Sequence, residues 1–184
     1  MGALKFRVLL DTEQESEIFR DIIIDENDNF ESLYNAIISS FRFQGDQMAS
    51  FYISNDNWDK GHEISLMDMN YGDESIDEVA SVMSGAVLRD FMEFPDQKVI
   101  LVYDFLRMWI FLIELIEKTE DFIETPQTLL AVGMAPPEDS RSVNLEEEEE
   151  DIFGFDEEDE FGDDDDYEDG YSDEDMSGFE EYEY

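Results

Sequence analysis

Val99–Ile116 (VILVYDFLRMWIFLIELI) is the longest apolar stretch of the chain, and Asp104, Arg107 and Glu114 interrupt it. As a membrane span it would place Asp104 and Arg107 near the bilayer centre, at about 2.5–3.5 kcal/mol each. Two strands joined by a turn at Asp104–Arg107 carry the same residues without that cost. Val99–Tyr103 and Met108–Ile116 are therefore expected as strands, apolar on both faces and central in a sheet. No membrane association is expected.

The rest of the body reads around that pair. Leu4–Leu10 alternates Leu4, Phe6 and Val8 against Lys5 and Arg7, a strand period, and Glu17–Asp25 reads as its antiparallel partner. Asp28 precedes Glu31 by three, a capping-box variant. Phe30, Leu33, Ile37 and Phe41 then form one helical stripe, closed by Gly45. Met48–Ser54 is a third strand, Asn55–Gly61 a polar turn and Glu63–Met67 a short return strand. Ile76–Phe91 is ambiguous, helical in pattern but broken at Ser84-Gly85. Pro126, Pro136 and Pro137 mark an exit loop.

This order predicts an α+β domain over residues 1–137, with helices packed on a mixed or mainly antiparallel sheet. Its β-β-α-β start is similar to ubiquitin-like β-grasp domains. Residues 138–144 read as a linker.

Residues 145–184 are of another kind. They contain no Lys or Arg, and twenty-three of the forty are Asp or Glu. Such a segment cannot bury enough apolar surface to offset its ordering entropy and self-repulsion, so it is expected to be disordered. Eight rings punctuate the acid: Phe153, Phe155, Phe161, Tyr167, Tyr171, Phe179, Tyr182 and Tyr184. Exposed rings cost solubility unless something uses them. These eight, together with Trp58 in its polar turn, are the candidate partner-binding residues.

The formal charge of −42 constrains the partner. Removing the tail's twenty-three acids from fifty-two leaves 29 against 10 bases, about −19 for the body. Direct nucleic-acid binding, which depends on neutralising phosphates with Lys and Arg, is not expected. A basic protein partner is, because this field attracts it.

No catalytic, cofactor-binding or metal-ligating residue is assigned. His62 is the sole histidine and Cys is absent, so thiol nucleophiles, disulfides and multi-histidine or cysteine metal sites are excluded. Asp173-x-Asp175-x-Ser177-Gly178 is half a calcium loop, but Tyr184 stands where a bidentate Glu is required. The absence of Cys fits a reducing cytoplasm. Two alternatives to an interaction module remain: a divalent-cation-dependent enzyme using Asp104 and His62, or an accessory protein whose tail only solubilises.

Phe41–Tyr52 (FRFQGDQMASFY), Tyr103–Ile113 (YDFLRMWIFLI) and Gly133–Pro137 (GMAPP) together resemble the Ri-plasmid open-reading-frame-three-like family, whose relatives carry the labels insertion-element passenger and TnpR-like. The resemblance spans residues 4–137. Tyr103, Asp104, Phe105, Trp109 and Ile113 fit a signature similar to Tyr-Asp-Phe-Gly-Asp-x-Trp-x-His-x-Ile. Leu106, Arg107 and Phe111 replace its Gly, Asp and His, and Gln47-Met48 stands where the family has a second His. The resemblance implies a compact α+β scaffold that has lost those polar positions.

Overall fold

The computed structural model describes residues 2–68 and 82–143. Seven strands form one sheet: β1 (Ala3–Leu10), β2 (Phe19–Asp25), β3 (Ala49–Ser54), β4 (Lys60–Ser65), β5 (Lys98–Tyr103), β6 (Trp109–Thr119) and β7 (Gln127–Val132). A single α-helix among the described residues, α1 (Phe30–Phe41), follows β2. Across the sheet the strands run β4-β3-β5-β6-β1-β2-β7, and every neighbouring pair is antiparallel. The domain is thus α+β and sheet-rich, with one α-helix packed on the sheet among the described residues.

The helix starts one residue later than the capping-box reading implies. Asn29, not Asp28, is the N-cap, and its side-chain oxygen accepts the Ser32 amide at 2.9 Å. Phe30, Leu33, Ile37 and Phe41 are all buried, and Tyr34 and Ile38 widen the stripe. They pack on one sheet face against Phe6 and Val8 of β1, Phe51 of β3, Leu101 of β5 and Phe111 of β6. β5 buries five consecutive residues, as a central strand should. β6 alternates instead, burying only Trp109, Phe111, Ile113 and Leu115, so it is apolar on both faces but buried on one.

Termination differs from expectation as well. The chain leaves α1 through Arg42 in the left-handed region (φ 61°), and the Phe43 amide reaches back to the Ile38 carbonyl at 3.0 Å. Gly45, with φ 76°, makes a separate turn three residues on. Arg42 therefore carries a strain that glycine would not. Arg42→Gly is expected to raise stability by about 0.5–1 kcal/mol, read as an upward shift in melting temperature. An unchanged or lower melting temperature would show that the guanidinium contributes more than the strain takes away.

The largest departure is β7. The segment after Pro126 is not only an exit loop: Gln127–Val132 pairs antiparallel with β2 as the sheet edge. All six of its residues are exposed, so neither alternation nor a buried run announces it. The ambiguous segment before Phe91 is partly described, and holds a 3-10 turn at Leu88–Asp90. No helix among the described residues is long and apolar enough to cross a membrane. The acidic segment 145–184 and its eight rings lie outside the described residues.

Candidate functional site

The β5–β6 turn and residues 133–142 meet at one end of the sheet. Asp104 closes β5 in the left-handed region (φ 59°), a conformation Asp tolerates because its carboxylate bonds the following backbone. Its Oδ1 accepts the amides of Leu106 and Arg107 at 3.1 and 3.2 Å, and its Oδ2 pairs with Arg107 Nη1 at 3.1 Å. The Asp104 side chain is 2% exposed. The carboxylate is committed to the turn on every side that the structure shows. Phe105 and Leu106, at the tip, project outward.

His62 is far from it. It sits exposed on β4, inside the strand and not in the preceding turn, with its ring stacked on Phe91 (centroids 6.1 Å, 9° between planes). Glu63 pairs with Tyr52, which pairs with Ile100, so His62 lies at the opposite end of β5 from Asp104. Four residues of strand alone separate those levels, about 13 Å. The two side chains do not form a site. Among the described residues no three His, Asp or Glu gather as a metal would require.

Phe111, which stands where the resembled signature has a histidine, is wholly buried. It stacks edge-on with Phe41 (5.0 Å) and Phe43 (5.9 Å), and Phe43 also meets Trp109 (5.1 Å) and Tyr103 (5.8 Å). Phe111 is thus part of an aromatic core.

Residues 138–143, within the expected linker 138–144, are fastened over this cluster. Tyr103 donates to Glu138 Oε1 at 2.6 Å, and Gln44 N–H donates to Glu138 Oε2 at 2.7 Å. Trp109 Nε1 donates to the Glu138 carbonyl at 3.0 Å. Arg141 lies over the Trp109 ring at 4.7 Å and donates to the carbonyls of Met108 and Asp11. Sequence reasoning passed over Glu138 because nothing distinguishes it from the other acids of such a chain.

Electrostatics around this tie are unusual for tyrosine. Burial, then the carboxylates of Glu138 and Asp46, push the Tyr34 hydroxyl up to about 12. Burial and the bond to Glu138 raise Tyr103 further. A phenol whose pKa is raised on folding contributes stability that is whole below pH 10 and lost as pH rises through the folded value. For Tyr34 alone, the change from 10 to about 12 corresponds to roughly 3 kcal/mol. Stability is therefore expected to fall steeply above pH 10, with Tyr34 and Tyr103 ionising after the exposed tyrosines in a spectrophotometric titration. A single unperturbed phenol titration with no loss of stability would contradict it. Tyr34 Oη has no hydrogen-bond partner among the described residues, so its hydroxyl is costly in either state.

A second group lies beside the tie. Arg20, on β2 and 6% exposed, donates through Nε to Ser40 O (3.1 Å) and through Nη1 to the carbonyls of Phe19, Val132 and Gly133 (2.8, 2.8 and 3.2 Å). Its guanidinium covers the Phe41 ring at 4.6 Å. One side chain thus rivets α1, β2 and β7. Gly133 (φ 75°) allows it, since a Cβ there would stand 2.8 Å from the Glu17 carbonyl. Arg20 and Arg42 line a cleft of about 590 Å³ with Phe41, Met134 and Pro136.

Trp58 occupies the β3–β4 turn, half-buried, with φ 61°. That is a strained conformation for a bulky residue. Lys98 Nζ stands 5.7 Å from its ring centroid. It lies in a different part of the fold from the Glu138 tie.

Comparison with known proteins adds family and fold. The sequence profile described as plasmid pRiA4b ORF-3-like protein matches residues 2–182, beyond the 4–137 of the resemblance and through the acidic segment. The crystal structure of a protein of unknown function from Methanosarcina mazei Go1 superposes with a TM-score of 0.61 at 21% identity, covering 82% of this chain and 81% of that one. That likeness shows the fold alone. Comparison with curated proteins finds no match.

Proposed function

This chain belongs to the plasmid pRiA4b ORF-3-like family, and from that premise we propose that it is a non-enzymatic interaction module whose acidic-aromatic tail engages a basic protein partner. The observation that carries the reading is the tail's composition: twenty-three carboxylates and eight rings in forty residues, with no base. The tail acts as a cytoplasmic arm. A nucleic-acid-handling partner fits best, because a groove built for phosphates and stacked bases accepts carboxylates and rings in their place. Trp58, held in a strained turn, supplies a body contact. The interior around Phe111 and the commitment of Asp104 to Arg107 support this reading over the enzyme alternative.

The test compares the full chain with a variant whose eight tail rings are serine and whose acids are intact. Both are titrated with an arginine-rich peptide and with a single-strand-binding protein. The parent should bind more tightly than the variant to both, and a single-stranded oligonucleotide should compete for the second. Equal binding by parent and variant would reduce the tail to a charged solubiliser.

A further inference from the structure

The described residues contain six arginines, and three of them have carboxylate partners: Arg7 with Asp21, Arg89 with Asp90 and Arg107 with Asp104. Arg20, Arg42 and Arg141 have none among the described residues, although the chain holds 52 acids. All three border residues 131–142. Arg20 is the most demanding, because a guanidinium that is nearly buried and faces only carbonyls is stable when some acceptor neutralises it. Its Nη2 has no acceptor among the described residues, and it lines the cleft between the end of α1 and residues 131–138. Arg42 stands exposed at the same cleft, close enough to lower the Arg20 pKa after burial has done so. Glu138, the one carboxylate lining this cleft among the described residues, already accepts from Tyr103 and Gln44.

We propose that this cleft is the docking site for the chain's own segment 146–155 (EEEEEDIFGF), which lies across Arg20 and Arg42 and withholds the tail from its partner. The chemistry matches in both parts. Carboxylates from Glu146–Asp151 meet the Arg20 Nη2 and the Arg42 guanidinium, and Phe153 and Phe155 meet the apolar lining of Phe41, Met134 and Pro136. Met134 is 87% exposed until something covers it. Reach is no obstacle: Val143, the last described residue, is five residues and at most about 18 Å from Glu138 of the cleft lining, and residues 144–151 extend about 27 Å. An attached segment also competes at an effective concentration in the millimolar range, which a free acidic peptide does not. The inference adds regulation to the tail-engagement reading above.

The chain has no cysteine, so Ile152→Cys in the full-length protein accepts a single nitroxide label. Signal loss is expected at the amides of Ser40, Ala131, Gly133 and Met134 and not on β3 or β4. It should disappear in Arg42→Gly, which keeps the helix end unstrained, and in a variant with Glu146–Glu150 changed to Gln. The arginine-rich peptide should then bind Arg42→Gly several-fold more tightly than the parent. Loss spread evenly over the body, centred elsewhere, or retained in both variants would overturn the docking. If the nitroxide pattern appears but no variant binds the peptide, docking stands and the tail-engagement reading fails. If the peptide binds and the pattern is absent, the tail engages its partner without ever docking on the body.

Discussion

Phe111→Ala is expected to cost about 3–5 kcal/mol, the range for removing a fully buried phenylalanine. The ring stands at the junction of α1 and β6, against Phe41 and Phe43, and Trp109 and Tyr103 are packed on the latter. The loss should therefore reach the Glu138 tie, seen in denaturant unfolding as a lower midpoint and in tyrosine titration as an earlier Tyr103. Phe111→His, the residue of the resembled signature, should cost nearly as much, because its imidazole nitrogens would be buried in an aromatic core. A histidine variant as stable as the parent would mean that a polar partner is within reach of that position.

Arg20→Met should be the second severe change, at about 3 kcal/mol or more, because several carbonyls lose a charged donor together. Its signature should be local. β7 has no buried side chain, so its attachment depends on the β2 ladder and on the bonds from Arg20 to Val132 and Gly133. Amide exchange in 127–133 should accelerate far more than in β5 or β6. Uniform acceleration across the sheet would show that Arg20 supports the core and not the edge.

What the sequence revealed and what it hid follow from the same physics. β1, β2, β3, β5 and β6 were legible because each carries a buried face or run, and α1 because its stripe repeats at helical spacing. β7 was hidden because Gln127–Val132 buries nothing, and its anchor reads in sequence as one more charge in EIFRDIII. The helix ends slipped because Asp28 and Asn29 are both good caps, while Arg42 gives no hint of a left-handed turn. Of the candidate contacts, only Trp58 falls within the described residues, and its backbone strain has no sequence signal. The tie at Glu138 and Arg141 escaped notice because its bonds run to residues as distant as Asp11, and no periodicity reports contacts of that span.

The position of β1 also governs when the protein can fold during synthesis. β1 pairs with β2 within the first twenty-five residues, but its inner neighbour is β6, with Ala3 opposite Thr119. A nascent chain that has made β1, β2 and α1 holds an open edge and an apolar helix stripe whose counterparts on β5 and β6 do not yet exist. Folding is withheld until β6, through Thr119, has emerged, and the tie through Arg141 comes later still. The early chain is the protein's most vulnerable form. A chaperone that recognises exposed apolar strands would meet it then, well before any acidic residue of 146–184 has been made.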